Sequence, residues 1–252
     1  MHDFHFRGNN LKDHLQCWID IGTESEILNW IRDGVPIPFT GEDLPRQFHF
    51  ENREFNRTET LFIKNKIKEL LDSNCIIKCK NRPLGVSPIS VVPKKNKDFR
   101  LIIDLRHLNT FCSKDSIVYE DIKTVIHTLE PNDYLITTDI KNGFHHVGIH
   151  PSHQTYLGFY FEGDFYTWQV LPFGACFSPY YFSKILRPVV RYLRQNDLRT
   201  VGYVDDFILG ESEEHITTKK RFLLKTLSDL GIFVNFEKSN LHLANLKFLL
   251  VT

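Results

Sequence analysis

Apolar residues recur at Ile63, Ile67, Leu70 and Leu71, the i, i+4, i+7, i+8 spacing of one helical face, while Lys64, Lys66 and Lys68 fall largely off that stripe. The pattern predicts an amphipathic helix over about Thr58 to Ser73. Shorter apolar runs bounded by turn residues read as strands: Cys75 to Lys80, Ile89 to Val92, Phe99 to Leu105, and a buried run from Tyr134 to Ile140 that ends in Asp139. Thr155 to Phe161 and Phe165 to Val170 form a hairpin through Glu162-Gly163-Asp164. Ser178-Pro179 supplies an N-cap and an N1 proline for a helix to about Arg194, which Pro188 should kink. Asp121 to Leu129 reads as a helix, and so does Ser212 to Leu230, with Glu213 and Glu214 in its first turn and Gly231 as its stop. Strands near Ile232 to Phe236 and Leu241 to Leu250 complete the pattern. Ahead of all this, to about Phe55, short helices around Leu11, Leu15 and Trp18 and around Ile27, Leu28, Trp30 and Ile31 precede an extended stretch, Gly34 to Phe39, and a polar loop, Gly41 to Asn56. Helices and hairpins intermixed in this way predict an α+β fold rather than a doubly wound sheet.

One hairpin carries unusual chemistry. Tyr203-Val204-Asp205-Asp206 lies between Val201 and Phe207-Ile208-Leu209, bracketed by Gly202 and Gly210, which places two adjacent carboxylates at a tight turn. Neighbouring acids repel, and hard oxygen ligands of this kind suit Mg²⁺ or Mn²⁺. An isolated Asp-Asp pair is commonly a solvated turn. Asp139, at the end of a buried strand, needs a partner or an ion and is the natural third carboxylate. Together the three could hold two divalent ions roughly 4 Å apart, one lowering the pKa of an attacking hydroxyl and one stabilising a leaving pyrophosphate.

Composition bounds the options without choosing among them. The 252 residues are 42% hydrophobic and 25% charged, with zero formal net charge, so affinity for nucleic acid must come from local clustering. No apolar run approaches a membrane span, and the N-terminus has no signal-peptide core. Cys17, Cys75, Cys79, Cys112 and Cys176 are odd in number and lack CxxC spacing, as expected of reduced thiols in an intracellular protein, cytoplasmic or nuclear.

The ordered motifs resemble those of reverse transcriptases. Asp139-Ile140-Lys141-Asn142-Gly143-Phe144 is similar to the family's first catalytic motif, and Tyr203-Val204-Asp205-Asp206 to its signature hairpin. Leu171-Pro172-Phe173-Gly174 with Ser178-Pro179 resembles the template- and nucleotide-contacting motif. Phe99 through Asn109 resembles the fingers segment, and Gly231 through Asn235-Phe236-Glu237-Lys238-Ser239 the motif after the hairpin. Phe173, where retroviral enzymes carry Gln, resembles the retrotransposon form. The preface from Leu11 to Phe39 resembles the leader of DIRS-type elements, which carry a tyrosine recombinase.

The resemblance implies right-hand fingers and a palm with a mostly antiparallel sheet, in a domain over 56–252 behind a leader over 1–55. It implies an RNA-directed DNA polymerase within a retrotransposon polyprotein, taking an RNA or DNA template with primer, deoxynucleoside triphosphates and two Mg²⁺ ions, with Mn²⁺ as an alternative. Asp139, Asp205 and Asp206 would bind the metals, with Ile140 among the metal-binding positions. Lys94 and Arg100 would contact the triphosphate, since Lys offers a point charge and Arg a forked donor set. The backbone of Ile140, Lys141, Asn142 and Gly143 would turn amides toward the phosphates. Phe144 would exclude a 2′-hydroxyl, Phe173 and Gly174 would border the nucleotide and template base, and Lys238 would donate a proton to pyrophosphate.

Each residue has a plainer role open to it. Arg100 or Arg106 could be an exposed strand residue paired with Asp98 or Asp104, Phe144 could be core, and Lys238 solvated. His145, His146, His150 and His153 have spacings a zinc site could use, but only on a helix, and Val147-Gly148-Ile149 before Pro151 reads as extended. They read better as surface histidines beside a nucleic-acid groove. Asn142 stands where the family usually has an acid, and Gly143, often Ala in the family, should loosen the turn. Leu250 replaces an expected Gly in Phe248-Leu249-Leu250, and the sequence implies no thumb, so thumb, RNase H and recombinase modules would be encoded elsewhere. A truncated or degenerate product that binds nucleic acid without polymerising is the alternative; a zinc-dependent module and an RNA-copying RNA polymerase are the others.

Overall fold

The structure, a computed structural model, describes residues 6–41, 44–93, 99–117, 120 and 122–245. After a 3₁₀ turn at Leu11–His14 come α1 (Leu15–Asp20), α2 (Ser25–Asp33), β1 (Phe48–His49), α3 (Arg57–Asp72), β2 (Ile76–Cys79), β3 (Gly85–Val86), β4 (Ile89–Pro93) and β5 (Phe99–Ile103). Then come α4 (Arg106–Asn109), α5 (Ile122–Thr128), β6 (Tyr134–Asp139), a 3₁₀ turn at Gly143–His146, α6 (Pro151–Gln154), β7 (Gly158–Phe161) and β8 (Asp164–Trp168). The chain closes with α7 (Ser178–Gln195), β9 (Arg199–Tyr203), β10 (Asp206–Glu211), α8 (Glu213–Asp229) and β11 (Asn240–Asn245).

Two compact units share these elements, and neither is continuous in sequence. One comprises Met1–Asn10, Asn29–Asp115 and Phe144–Tyr180. Its sheet has the order β1-β3-β7-β8-β2, with β3 parallel to β1 and β7 and the other pairings antiparallel; β4 and β5 form a separate hairpin. Helix α3 starts at a capping box, in which the Asn56 side chain accepts from the Glu59 N–H and the Glu59 carboxylate accepts from the Asn56 N–H. It buries Ile63, Ile67 and Leu70, each worth roughly 1.5–3 kcal/mol of apolar transfer, on the stripe the periodicity predicts.

The other unit comprises Leu11–Leu28, Ser116–Gly143 and Tyr181–Thr252. Its four-stranded sheet, β11-β6-β10-β9, is antiparallel throughout. Helix α8 packs on β10 and β6, burying Ile216, Leu223 and Leu227 with Ile136, Phe207 and Leu209. The α+β expectation therefore holds, with a mixed sheet in one unit and an antiparallel one in the other.

Several expectations change in detail. Asp206 is the first residue of β10 rather than part of the turn, whose two loop residues are Val204 and Asp205. Ile232 to Phe236 is not a strand. Gly231, at φ +74°, ends α8, and Asn235 starts a new turn by accepting from the Lys238 and Ser239 N–H groups, leaving one isolated bridge, Val234 to Ile140. Strand β7 begins three residues later than the alternation suggests, because Tyr156 and Leu157 donate back to His153 and Gln154 behind α6. Helix α7 runs without interruption through Pro188. The continuation of β11 to Leu250, and Phe248-Leu249-Leu250 with it, lies outside the described residues.

Candidate active site

Strand register gathers the acids. In the β6–β10 pairing Asp206 stands opposite Asp139, and in the β9–β10 hairpin it pairs with Tyr203, which leaves Asp205 in the connecting turn. Val204 takes φ +54° there, a left-handed conformation that a β-branched residue adopts only at an expense of roughly 1–3 kcal/mol. The turn is tied down from below: the Asp205 carbonyl accepts from the Ile140 N–H at 2.8 Å. Asp139 is held on both sides by the segment after α8. Its N–H donates to Ser239 Oγ at 3.0 Å and its carbonyl accepts from the Asn235 N–H at 2.8 Å. Ser239 Oγ in turn donates to the Asn235 carbonyl. Ser239 and Asn235 thus position Asp139, a role their place in the motif alone does not disclose.

Burial pushes the Asp205 carboxyl above the ordinary range, and the charge of Asp139 adds to it; its own backbone amide and Lys238 act the other way. Burial likewise raises Asp206, with the charges of Asp205 and Asp139 next in size and Lys238 again opposing. Lys238 is exposed and its ammonium field reaches both acids. Carboxylates of this kind are hard oxygen ligands of the type that suits a divalent cation. Among the described residues no group of three His, Cys, Asp or Glu side chains is close enough together to hold a metal ion.

The loop after Asp139 differs from expectation in two respects. The N–H groups of Ile140 and Lys141 are engaged with the carbonyls of Asp205 and Phe233, both at 2.8 Å, so these two amides do not face outward. Asn142 has φ +55°, a conformation Asn tolerates well, so its backbone explains the residue type. Gly143, rather than loosening the turn, is closely packed: a Cβ there would lie 3.0 Å from Phe182 Cζ and 3.3 Å from Asp205 Cβ.

The remaining expected residues belong to the first unit, apart from Lys94, which lies outside the described residues together with Asp98. Arg100 is exposed on β5, opposite Val92. Arg106 is the arginine that takes the plainer role, gripping Asp104 through Nε and Nη2 at 2.6–3.1 Å. Phe144 and Phe173 have ring centroids 5.0 Å apart, and Phe173 is 47% exposed. Gly174 has φ +109°, and its carbonyl accepts from Asn109 Nδ2 while Asn109 Oδ1 accepts from the Cys176 N–H. Asn109 therefore holds the Phe173-Gly174 loop, and only its place at the end of the quoted fingers segment hinted at it.

The histidines are not a surface cluster. His145 and His146 are buried, 5% and 1% exposed, because the 3₁₀ turn at Gly143–His146 points them inward. Burial drives His145 down to about 3. His153 Nδ1 accepts from the Ile37 N–H, and His150 Nδ1 bonds Ser152 Oγ.

The chain is a mixed α+β protein whose antiparallel sheet carries Asp139, Asp205 and Asp206 at one end. Residues 92–252 match the family described as "Reverse transcriptase (RNA-dependent DNA polymerase)", and the chain belongs to that family. It is 31% identical over 199 residues to the "Retrovirus-related Pol polyprotein from transposon opus" of Drosophila melanogaster, covering 74% of this chain and 19% of that protein. It is 30% identical over 189 residues to the Gag-Pol polyprotein of walleye dermal sarcoma virus, covering 73% of this chain and 11% of the relative. The chain thus spans about a fifth or less of these relatives. Foamy viral protease-reverse transcriptase solved with an RNA/DNA hybrid and with dsDNA shares the fold, with TM-scores of 0.66 and 0.67 at 22% identity. Both alignments cover 91% of this chain, and 33% and 51% of those chains respectively. No helix among the described residues is long and apolar enough to cross a membrane.

Proposed function

We propose that this chain is the RNA-directed DNA polymerase core of a retrotransposon polyprotein, extending a primer with deoxynucleoside triphosphates on an RNA or DNA template. The observation that carries the reading is the register that sets Asp206 opposite Asp139 with Asp205 in the adjoining turn, inside the segment matched to the family. In this reading the sheet of β6, β9, β10 and β11 is the palm, and the β4–β5 hairpin belongs to the fingers, within a domain over 56–252 behind a leader over 1–55. Two divalent ions, Mg²⁺ or Mn²⁺, held by Asp139, Asp205 and Asp206 with Ile140 adjoining, would supply an activated nucleophile and charge for the leaving pyrophosphate.

The chain's own residues do the rest. Lys238, whose field already reaches the two hairpin acids, stands ready to protonate the departing pyrophosphate. Arg100 and Lys94 take the triphosphate oxygens. Phe144, braced by Phe173, gives a flat apolar surface that discriminates against a 2′-hydroxyl, and Gly174 leaves the backbone open to the nucleotide and template base. Lys141, Asn142 and Gly143 shape the loop beside Asp139. The leader from Leu11 to Phe39 supports placing the element among the DIRS type, working inside the cell alongside modules encoded elsewhere in the element.

Primer extension on an RNA template with Mg²⁺, run beside the Asp205→Asn variant, tests the reading. Extension is expected from the parent chain and not from the variant. Activity that survives in Asp205→Asn would falsify the metal assignment.

A further inference from the structure

Helix α8 ends in a fully formed stop. With Leu230 as its C-cap, the Gly231 N–H donates to the Ser228 carbonyl at 3.0 Å and the Ile232 N–H to the Leu227 carbonyl at 2.8 Å, the paired bonds of a Schellman turn, while the Leu230 N–H serves Thr226. Two terminal carbonyls of the last turn, those of Asp229 and Leu230, are left over by this arrangement. Both are taken by side chains from the opposite end of the sequence. His14 Nδ1 lies 2.8 Å from the Asp229 carbonyl, and Trp18 Nε1 donates to the Leu230 carbonyl at 3.0 Å. Since the partner is a carbonyl, the His14 proton sits on Nδ1. Trp18 is fully buried, so its bond is shielded from water.

Immediately beyond this cap lies the segment that holds Asp139. Within nine residues of Leu230, Phe233 accepts from Lys141, Asn235 donates to Asp139, Ser239 Oγ accepts from the Asp139 N–H, and Lys238 carries the charge that works against the raised pKa values of the two hairpin acids. The same amino-terminal stretch grips α7 as well. Glu24 pairs with Arg191, and the Gly22 carbonyl accepts from Arg191 Nη2 at 2.7 Å. Arg191 borders a cleft of about 620 Å³ whose lining includes Gly202 and Val204 of the acidic hairpin.

We infer that residues Leu11 to Glu24 are a positioning clamp for the carboxylate site, with Trp18 and His14 fixing the end of α8 and, through it, the 232–239 segment that sets Asp139 and Lys238. The functional meaning rests on the polymerase reading above; the mechanical claim does not. A leader that merely packed against the unit would add stability without regard to where it touched. This one places two of its polar side chains, His14 and Trp18, on the two carbonyls next to the segment that holds Asp139.

Amide hydrogen exchange and Mn²⁺ titration of the full chain test the clamp. Trp18→Phe keeps an aromatic ring and removes the indole N–H, His14→Ala removes the neighbouring bond at the surface, and Ile216→Val trims the buried start of α8 as a stability control. Trp18→Phe should speed exchange at Asn235 and Lys141 by roughly tenfold, the shift carried by one buried hydrogen bond, and weaken Mn²⁺ binding by a similar factor. His14→Ala should act in the same direction and less. Ile216→Val should change neither once its effect on global stability is subtracted. Exchange at Asn235 and Lys141 that is the same in Trp18→Phe as in Ile216→Val overturns the clamp. A parent chain with no Mn²⁺ affinity counts against the polymerase reading instead, and the exchange data then decide the clamp alone.

Discussion

At one end of the β9–β10 hairpin Arg199 donates to the buried Asp133 and stands 3.1 Å from Glu130 and 3.3 Å from Glu211. At the other end Asp139, Asp205 and Asp206 repel one another, and among the described residues the exposed ammonium of Lys238 is what opposes the charge of the hairpin pair. Both clusters are acidic, both belong to the same sheet, and they are five or six residues apart along each strand. The first is bridged by a forked guanidinium that reaches all three acids and contributes to holding the sheet together. The second has no such guanidinium, and its hairpin residues resist ionisation, chiefly through burial and then through the neighbouring acids. On the proposed polymerase reading, this is the end that a divalent cation would occupy.

The largest effect is expected from Asp205→Asn. Primer extension should fall by at least about a thousandfold, since each tenfold is about 1.4 kcal/mol and metal-held charge supplies several. The same variant should melt at a higher temperature than the parent at neutral pH in the absence of divalent ions. The sign comes from linkage: the folded-state pKa of Asp205 is raised, so its ionised form opposes folding above that pKa, and the amide removes the opposition. A lower melting temperature would mean that the acidic end is as satisfied as the Arg199 end.

Arg199→Met should do the reverse. It strips the partner from Asp133, whose side chain is 3% exposed, and should cost about 3 kcal/mol in urea unfolding while leaving Mn²⁺ affinity of the folded protein unchanged. Affinity that falls along with stability would show the two ends to be coupled.

A third uncompensated group sharpens the contrast from the other unit. His145 Nε2 is buried and has no hydrogen-bond partner among the described residues. Because its folded pKa is depressed to about 3, it stays neutral in the folded protein, while the unfolded chain takes up a proton below about pH 6.5. Stability should therefore fall by about 1.4 kcal/mol per pH unit below that point, roughly 2 kcal/mol by pH 5. The hairpin acids act oppositely, their penalty fading as they protonate. Unfolding free energy measured against pH for the parent and His145→Gln should show the acid-side slope flattening in the variant; parallel curves would remove the assignment.

The smallest effect belongs to Gly143→Ala. The added methyl meets the tip of the Phe182 ring at 3.0 Å and Asp205 Cβ at 3.3 Å, contacts that small shifts relieve, so the loss should stay within about 1 kcal/mol in thermal unfolding. A drop of several kcal/mol would show the turn to be unable to give.

The features legible in sequence were those set by neighbours along the chain. The buried apolar run from Tyr134 placed Asp139 at a strand end, period 3.6 placed α3, and Ser178-Pro179 placed the start of α7. Long-range partners were not legible. Arg199 reads as an ordinary charged strand residue until the fold brings it to Asp133, 66 residues earlier. Beyond its place at the end of the Phe99-to-Asn109 segment, Asn109 gives no sign of holding Gly174, and nothing in the Gly143-to-His146 composition shows that a single 3₁₀ turn inverts two histidines. Ile232 to Phe236 misled because its apolar content satisfies a strand pattern, while the turn that prevents pairing depends on Asn235 receiving two amides.

The bond between Trp18 and Leu230 spans 212 positions. A ribosome adding about 5–20 residues per second needs on the order of 10–40 s to travel from one to the other. Throughout that interval the Trp18 indole has no Leu230 carbonyl to meet. The cap on α8 is thereby the last part of this unit's helix to close, and a chain ending before Leu230 would leave Trp18 without it even though all three aspartates had been synthesised.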